Sequence, residues 1–167
     1  MPTYSGSPQG DNPKYTQLLN PMKSYNGMTD PTMMKDIPKL KVEDVAIAVA
    51  PREAQTTEEE LWDSYLINLK EEPISNVLIN SRGYGEVDGE KMKTTVLRHF
   101  FEEIGPLQVV KIEPIQVKLF DLTNEYWISF THKGHMYDKK YVFVKGSIQE
   151  HNFTTIPFIN LKGVMIR

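Results

Sequence analysis

Residues 79–95 read INSRGYGEVDGEKMKTT, with Gly83, Gly85 and Gly89 close together ahead of a Lys-Met-Lys-Thr-Thr run. A loop that cradles a phosphate needs G-x-x-x-x-G-K-[ST], so that backbone amides, a lysine and a hydroxyl converge on one anion. Here Tyr84 stands where the first glycine must be. Glu90 follows Gly89, which puts a carboxylate where the phosphate-binding lysine belongs. The dinucleotide pattern G-x-G-x-x-G fails as well, because Asp88 occupies the third glycine position. The stretch reads as a strand end, a glycine-rich turn and the next element. Arg82 and Tyr84 are left as a cation and a ring on its tip, a contact point for a macromolecule rather than for catalysis.

Other chemistry-bearing types give no catalytic constellation. His132 and His135 form an H-x-x-H pair, but His99 and His151 are distant in sequence and no carboxylate ligand can be assigned with them. Glu58-Glu59-Glu60, Glu71-Glu72 and Glu102-Glu103 are adjacent carboxylates, which on a strand point to opposite faces. No G-x-S-x-G elbow frames a serine. The sequence therefore assigns no catalytic, cofactor-binding or metal-binding residue. The best nucleic-acid candidate is HKGHMYDKKYVFVK, where Lys133, Lys139, Lys140 and Lys145 are interleaved with Tyr137 and Tyr141. The same residues also fit a charged hairpin whose lysines guard a sheet edge.

Two unequal parts must position these residues. Residues 1–41 carry Pro2, Pro8, Pro13, Pro21, Pro31 and Pro38, too closely spaced for a helix or a central strand. This irregular tail is rich in Pro, Met and Tyr, and Tyr4, Tyr15, Leu18, Leu19, Tyr25, Met33 and Met34 are its candidate anchors for a partner. From Val42 to Arg167 short strands follow one another. Val45, Ile47 and Val49 alternate with alanines, and later runs include ISNVLIN, LQVVKIEPI, NEYWISF and KKYVFVKGSI. HKGH reads as a tight hairpin turn, with Gly134 supplying a positive φ.

Seven or eight such strands predict an all-β, antiparallel, immunoglobulin-like sandwich over residues 42–167. Its two sheets are expected to bury Trp62, Tyr65, Ile79, Val110, Ile112, Trp127, Phe130 and Phe143. One segment, EKMKTTVLRHFFEEI, also fits a helix, since Met92, Val96, Phe100 and Ile104 recur four apart. Its paired threonines and flanking strands favour a strand over 93–101.

Composition narrows the setting. The chain has 167 residues, a net charge of −3 and no cysteine, which removes disulfides and thiolate chemistry together. No apolar run reaches the ~18 residues of a membrane helix. The N-terminal stretch lacks the basic start and apolar centre of a secretory signal, so a cytoplasmic setting is expected. A globally basic nucleic-acid binder is excluded by the charge balance.

The strings YLINLKEEPISNVLINSRGYG, TTVLRHFFEEIGP, VKIEPI, NEYWISF, YDKKYVF and GVMI resemble a group of small uncharacterised cytoplasmic proteins of Bacteroidota, over roughly residues 38–167. Some members carry the label of a phenylalanyl-tRNA synthetase alpha subunit. A class II synthetase domain needs a longer mixed core and arginine-bearing ATP motifs, so the resemblance implies a family and no activity. The passage from Asn68 through Pro73 to Val77, and the turn in EEIGPLQVVKIE, are similar to those of extracytoplasmic immunoglobulin-like domains. The expected function is a non-enzymatic adaptor or assembly component that binds another protein through its tail, its sandwich edge or both. The alternative is an accessory protein of a nucleic acid or ribonucleoprotein, using the hairpin 132–145.

Overall fold

A computed structural model of the chain describes residues 40–53 and 60–167. The tail candidates Tyr4, Tyr15, Leu18, Leu19, Tyr25, Met33 and Met34 lie outside the described residues. Lys41–Arg167 form one compact unit. Its ten strands are β1 (Val45–Pro51), β2 (Leu61–Asn68), β3 (Ile74–Val87), β4 (Glu90–Lys93), β5 (Leu97–Ile104), β6 (Gln108–Gln116), β7 (Thr123–His132), β8 (His135–Phe143), β9 (Thr154–Ile156) and β10 (Leu161–Ile166). Only two short 3-10 turns, Val117–Asp121 and Glu150–Asn152, interrupt them among the described residues.

The strands form two antiparallel sheets. One runs β6-β2-β1-β10-β9; the other runs β4-β3-β7-β8, with β5 also paired to β3. The chain builds β1 and β2 in the first sheet and crosses to β3. It then returns to β6 beside β2, and crosses again to β7 and β8 beside β3. That is the A-B-E and C-F-G arrangement of an immunoglobulin-like sandwich. The hairpin β9–β10 extends the first sheet beyond β1. The two shortest strands, β4 and β9, bring the total above the expected seven or eight. The segment expected as a strand over 93–101 is not helical but divides into β4, ending at Lys93, and β5, starting at Leu97, with residues 94–96 in no regular element between them.

Turn chemistry sets the hairpins. Lys133 and Gly134 both have positive φ, at 49° and 75°, between the paired His132 and His135. Asp88 and Gly89 repeat the pattern, at 52° and 80°, between the paired Val87 and Glu90. Two positive φ values in a two-residue loop match the right-handed twist of the flanking strands. Gly89 thus serves a turn, while Gly83 and Gly85 lie within β3.

The core between the sheets holds Ile47, Val49, Leu66, Ile79, Ile128, Phe130 and Phe143, with Trp62 edge-on to Phe120 at 4.9 Å. Each such buried side chain contributes roughly 1.5–3 kcal/mol. Tyr141 joins the two sheets: its hydroxyl donates to the Val45 carbonyl at 2.6 Å, and burial pushes its pKa up. Ala46, Ala48 and Ala50, on the opposite face of β1, are also buried, in a second cluster with Tyr65, Ile67 and Ile156. Tyr65 was expected between the sheets; it sits in this outer cluster instead. Val110 is only partly buried against the main core.

Trp127 departs from expectation. The strand pattern predicts it in the core, but it is 46% exposed. Its neighbours Tyr126 and Ile128 point inward, and side chains alternate along a strand, so Trp127 must face solvent.

Candidate partner-binding face

Trp127 lies on the outer face of the β5-β3-β7-β8 sheet. Register places it opposite Asn80 on β3 and Lys140 on β8, and Asn80 in turn opposite Arg98 on β5. The next row along β3 and β7 pairs Arg82 with Glu125. Opposed residues on neighbouring strands share a face, so Arg98, Asn80, Trp127, Lys140, Arg82 and Glu125 form one surface.

Glu125 organises it. Its carboxylate is nearly enclosed, with Arg82 Nε at 2.6 Å from one oxygen and Lys140 Nζ at 3.5 Å from the other. Burial by itself pushes the Glu125 carboxyl up. The Arg82 hydrogen bond and the charges of Arg82 and Lys140 overcome that and hold it below its usual range. The carboxylate in turn raises the Arg82 guanidinium pKa by hydrogen bonding.

Both cations also meet rings. Lys140 Nζ lies 4.9 Å from the Trp127 ring centroid, and the Arg82 guanidinium carbon lies 5.3 Å from that of Tyr84. Exposed contacts of this kind are worth about 0.5–1 kcal/mol each. The Trp127 indole N–H donates to Asp138 at 3.4 Å. The indole is thus held at its polar edge and on one ring face while much of its surface remains open. In the same row the enclosed Asn80 Oδ1 accepts no hydrogen bond, an exception to the usual satisfaction of buried polar atoms.

A second polar group lies between the sheets. Glu113 is buried, and its Oε2 receives the Ser81 hydroxyl at 3.0 Å and His99 Nε2 at 2.8 Å. The buried Tyr126 hydroxyl lies in hydrogen-bonding reach of Ser64 and Glu113, and burial raises its pKa. A cleft of about 180 Å3 opens over Glu113 between Ser81, Thr94, Leu97 and Asn124. Serine, histidine and a carboxylate are present, yet both partners reach the same carboxylate oxygen. A nucleophilic serine needs the imidazole on its own hydroxyl. Here both groups satisfy the buried carboxylate instead.

The sequence candidates distribute unevenly. Arg82 and Tyr84 lie on the Trp127 face, and so does Lys140. Lys139 sits on the other side of β8, with Nζ 4.9 Å from the Tyr141 ring centroid. Tyr137 stacks on the buried Phe130 at 5.3 Å. Lys133, at the hairpin tip, pairs with Glu72 at 2.9 Å, and His132 meets the same carboxylate at 2.8 Å. Those two contacts pull the Glu72 pKa down, the Lys133 hydrogen bond most strongly. Lys145 is exposed beyond the end of β8. Among the described residues no group of three or more His, Asp or Glu side chains could hold a metal ion. No helix among them is long and apolar enough to cross a membrane.

The fold and this face define an immunoglobulin-like sandwich domain that presents a braced tryptophan on an open sheet. Comparison of the chain with protein-family models, with curated proteins and with solved structures returned no match.

Proposed function

We propose that this chain is a non-enzymatic adaptor, a cytoplasmic complex subunit, that holds a partner protein on the outer face of β3, β7 and β8. The observation that carries the proposal is Trp127, 46% exposed and braced by Lys140 and Asp138 beside the Arg82–Glu125 pair. Protein interfaces are enriched in Trp, Tyr, Met and Arg, and their energetic centres are often Trp and Arg. Arg82 and Lys140 share one carboxylate, so the surface offers rings and hydrogen-bond donors with little surplus charge. That balance suits a partner with an apolar patch and an isolated carboxylate. It suits a nucleic acid less, because phosphate contacts need cations not already paired, and Lys133 and Lys140 are both paired.

Affinity enrichment of the tagged full chain from its native host tests the proposal. The variants Trp127→Ala and Arg82→Glu should lose, by at least about tenfold, the partner that the parent and an exposed control, Lys162→Ala, retain. A chain lacking residues 1–39 reports the tail's share. Equal recovery by Trp127→Ala and the parent would refute the reading.

A further inference from the structure

β5 is an edge strand with unusual exposure. It pairs with β3 from Leu97–Ser81 to Ile104–Ile74, and with no other strand among the described residues. Natural edges are commonly blunted by proline, bulges or a covering loop, because unpaired backbone groups template further strands. Residues 97–104 contain no proline, and Phe100 is 63% exposed while Leu97 is 47% exposed. Val96, just before the strand, and Met92 on β4 are exposed too. The edge therefore exposes apolar side chains as well as open backbone.

Its charges have a further property. Arg98 and Glu102 are both exposed, alternate with Phe100 on the outer face, and have no ion pair among the described residues. Directly opposed residues of an antiparallel pair share a face. When two copies of β5 meet about a two-fold axis through Phe100, Arg98 of each copy stands opposite Glu102 of the other. Phe100 stands opposite Phe100, and on the other face His99 stands opposite Phe101. A register shift of two residues either way separates both ion pairs. Such self-complementarity is what an isologous contact requires.

We infer that the chain self-associates through β5, joining two β5-β3-β7-β8 sheets edge to edge in a symmetric dimer. The occupant of this edge is a second copy of the chain, selected by the doubled Arg98–Glu102 pairing and the central phenylalanines. Arg98 lies in the same cross-strand row as Trp127, but the pairing proposed here runs along the open backbone of β5, two strands away from β7, so the inference does not depend on whether the Trp127 surface binds a partner.

Sedimentation velocity of the full chain, from micromolar to sub-millimolar concentration, reads the result. The parent should approach twice the 19.2 kDa chain mass. Arg98→Glu and Glu102→Arg each set like charges opposite one another across the axis, and each should weaken association by roughly tenfold or more. The double variant Arg98→Glu/Glu102→Arg restores complementarity and should recover the parental dissociation constant. Trp127→Ala should leave it unchanged. A monomeric parent throughout this range would overturn the inference. So would single variants that dimerise as tightly as the parent, or a double variant no tighter than the singles.

Discussion

Lys140 stands over the ring of Trp127 at 4.9 Å while its ammonium also reaches Glu125 at 3.5 Å. One cation thus links the exposed indole to the nearly enclosed carboxylate that also holds Arg82. A surface otherwise made of separate long side chains acquires a fixed arrangement, which lowers the ordering cost of binding.

Removing Glu125 should therefore damage both stability and recognition. Glu125→Ala leaves Arg82 and Lys140 without their shared acceptor, and an expected loss of about 1–2 kcal/mol follows from the charge-assisted hydrogen bond. Urea unfolding should show a lower midpoint with an unchanged slope. Partner recovery should fall alongside, because the cations no longer hold the Trp127 and Tyr84 rings in place.

Acid should unfold the domain partly through two carboxylates. Burial pushes the Asp63 carboxyl up, but hydrogen bonds from Arg52 and Lys111 and the charges of both outweigh it, so it lies below its usual range. Glu125 is shifted the same way. A folded pKa below the unfolded one makes the stabilisation complete above about pH 4–4.5, the unfolded carboxylate range. It is lost as pH falls through the lower folded values. Asp63→Asn should flatten this acid limb of the stability curve while costing about 1–2 kcal/mol at neutral pH. Chemical denaturation repeated across pH 7 to 3 measures both effects.

Gly163 should tolerate no side chain. A Cβ there would run into the Val49 carbonyl oxygen and also crowd Ala50. Both obstacles are backbone or directly attached to it, so neither can swing aside. Gly163→Ala should cost about 3 kcal/mol or more, at the upper end of overpacking penalties, and should loosen the pairing of β10 with β1. Thermal melting reads the loss, and faster amide exchange at Val49 and Val164 would locate it.

The sandwich was legible because its hairpins announce themselves. His132-Lys133-Gly134-His135 and Asp88-Gly89 carry the turn chemistry, and β-branched and aromatic runs flank them. Trp127 was not, because YWISF is apolar at nearly every position and either parity would fill a core. Glu125 carried the missing signal: it shares parity with Trp127, and a charged residue marks the outer face. Glu113 was hidden for a different reason. The register slips between Ser64 and Tyr65, so that Ile112 has no partner on β2 and Ile112 and Glu113 are both buried. A bulge of that kind changes the face of every later residue and leaves no mark in the alternation of VVKIEPI. His99 and Ser81 then meet a carboxylate far from them in sequence, which only the folded sheet order brings near.

Two tryptophans make the surface directly readable. Trp62 is 8% exposed and packs against Phe120, whereas Trp127 is open. Iodide should quench one component of the intrinsic fluorescence, and Trp127→Phe should abolish that component while leaving the Trp62 signal.

Iodide quenching of Trp127 in the isolated chain and in its complex with the partner recovered from the host tests the adaptor reading most directly. The account predicts that the complex shields Trp127, so its quenching falls toward that of Trp62. A stable complex in which Trp127 is quenched as strongly as in the free chain would contradict it.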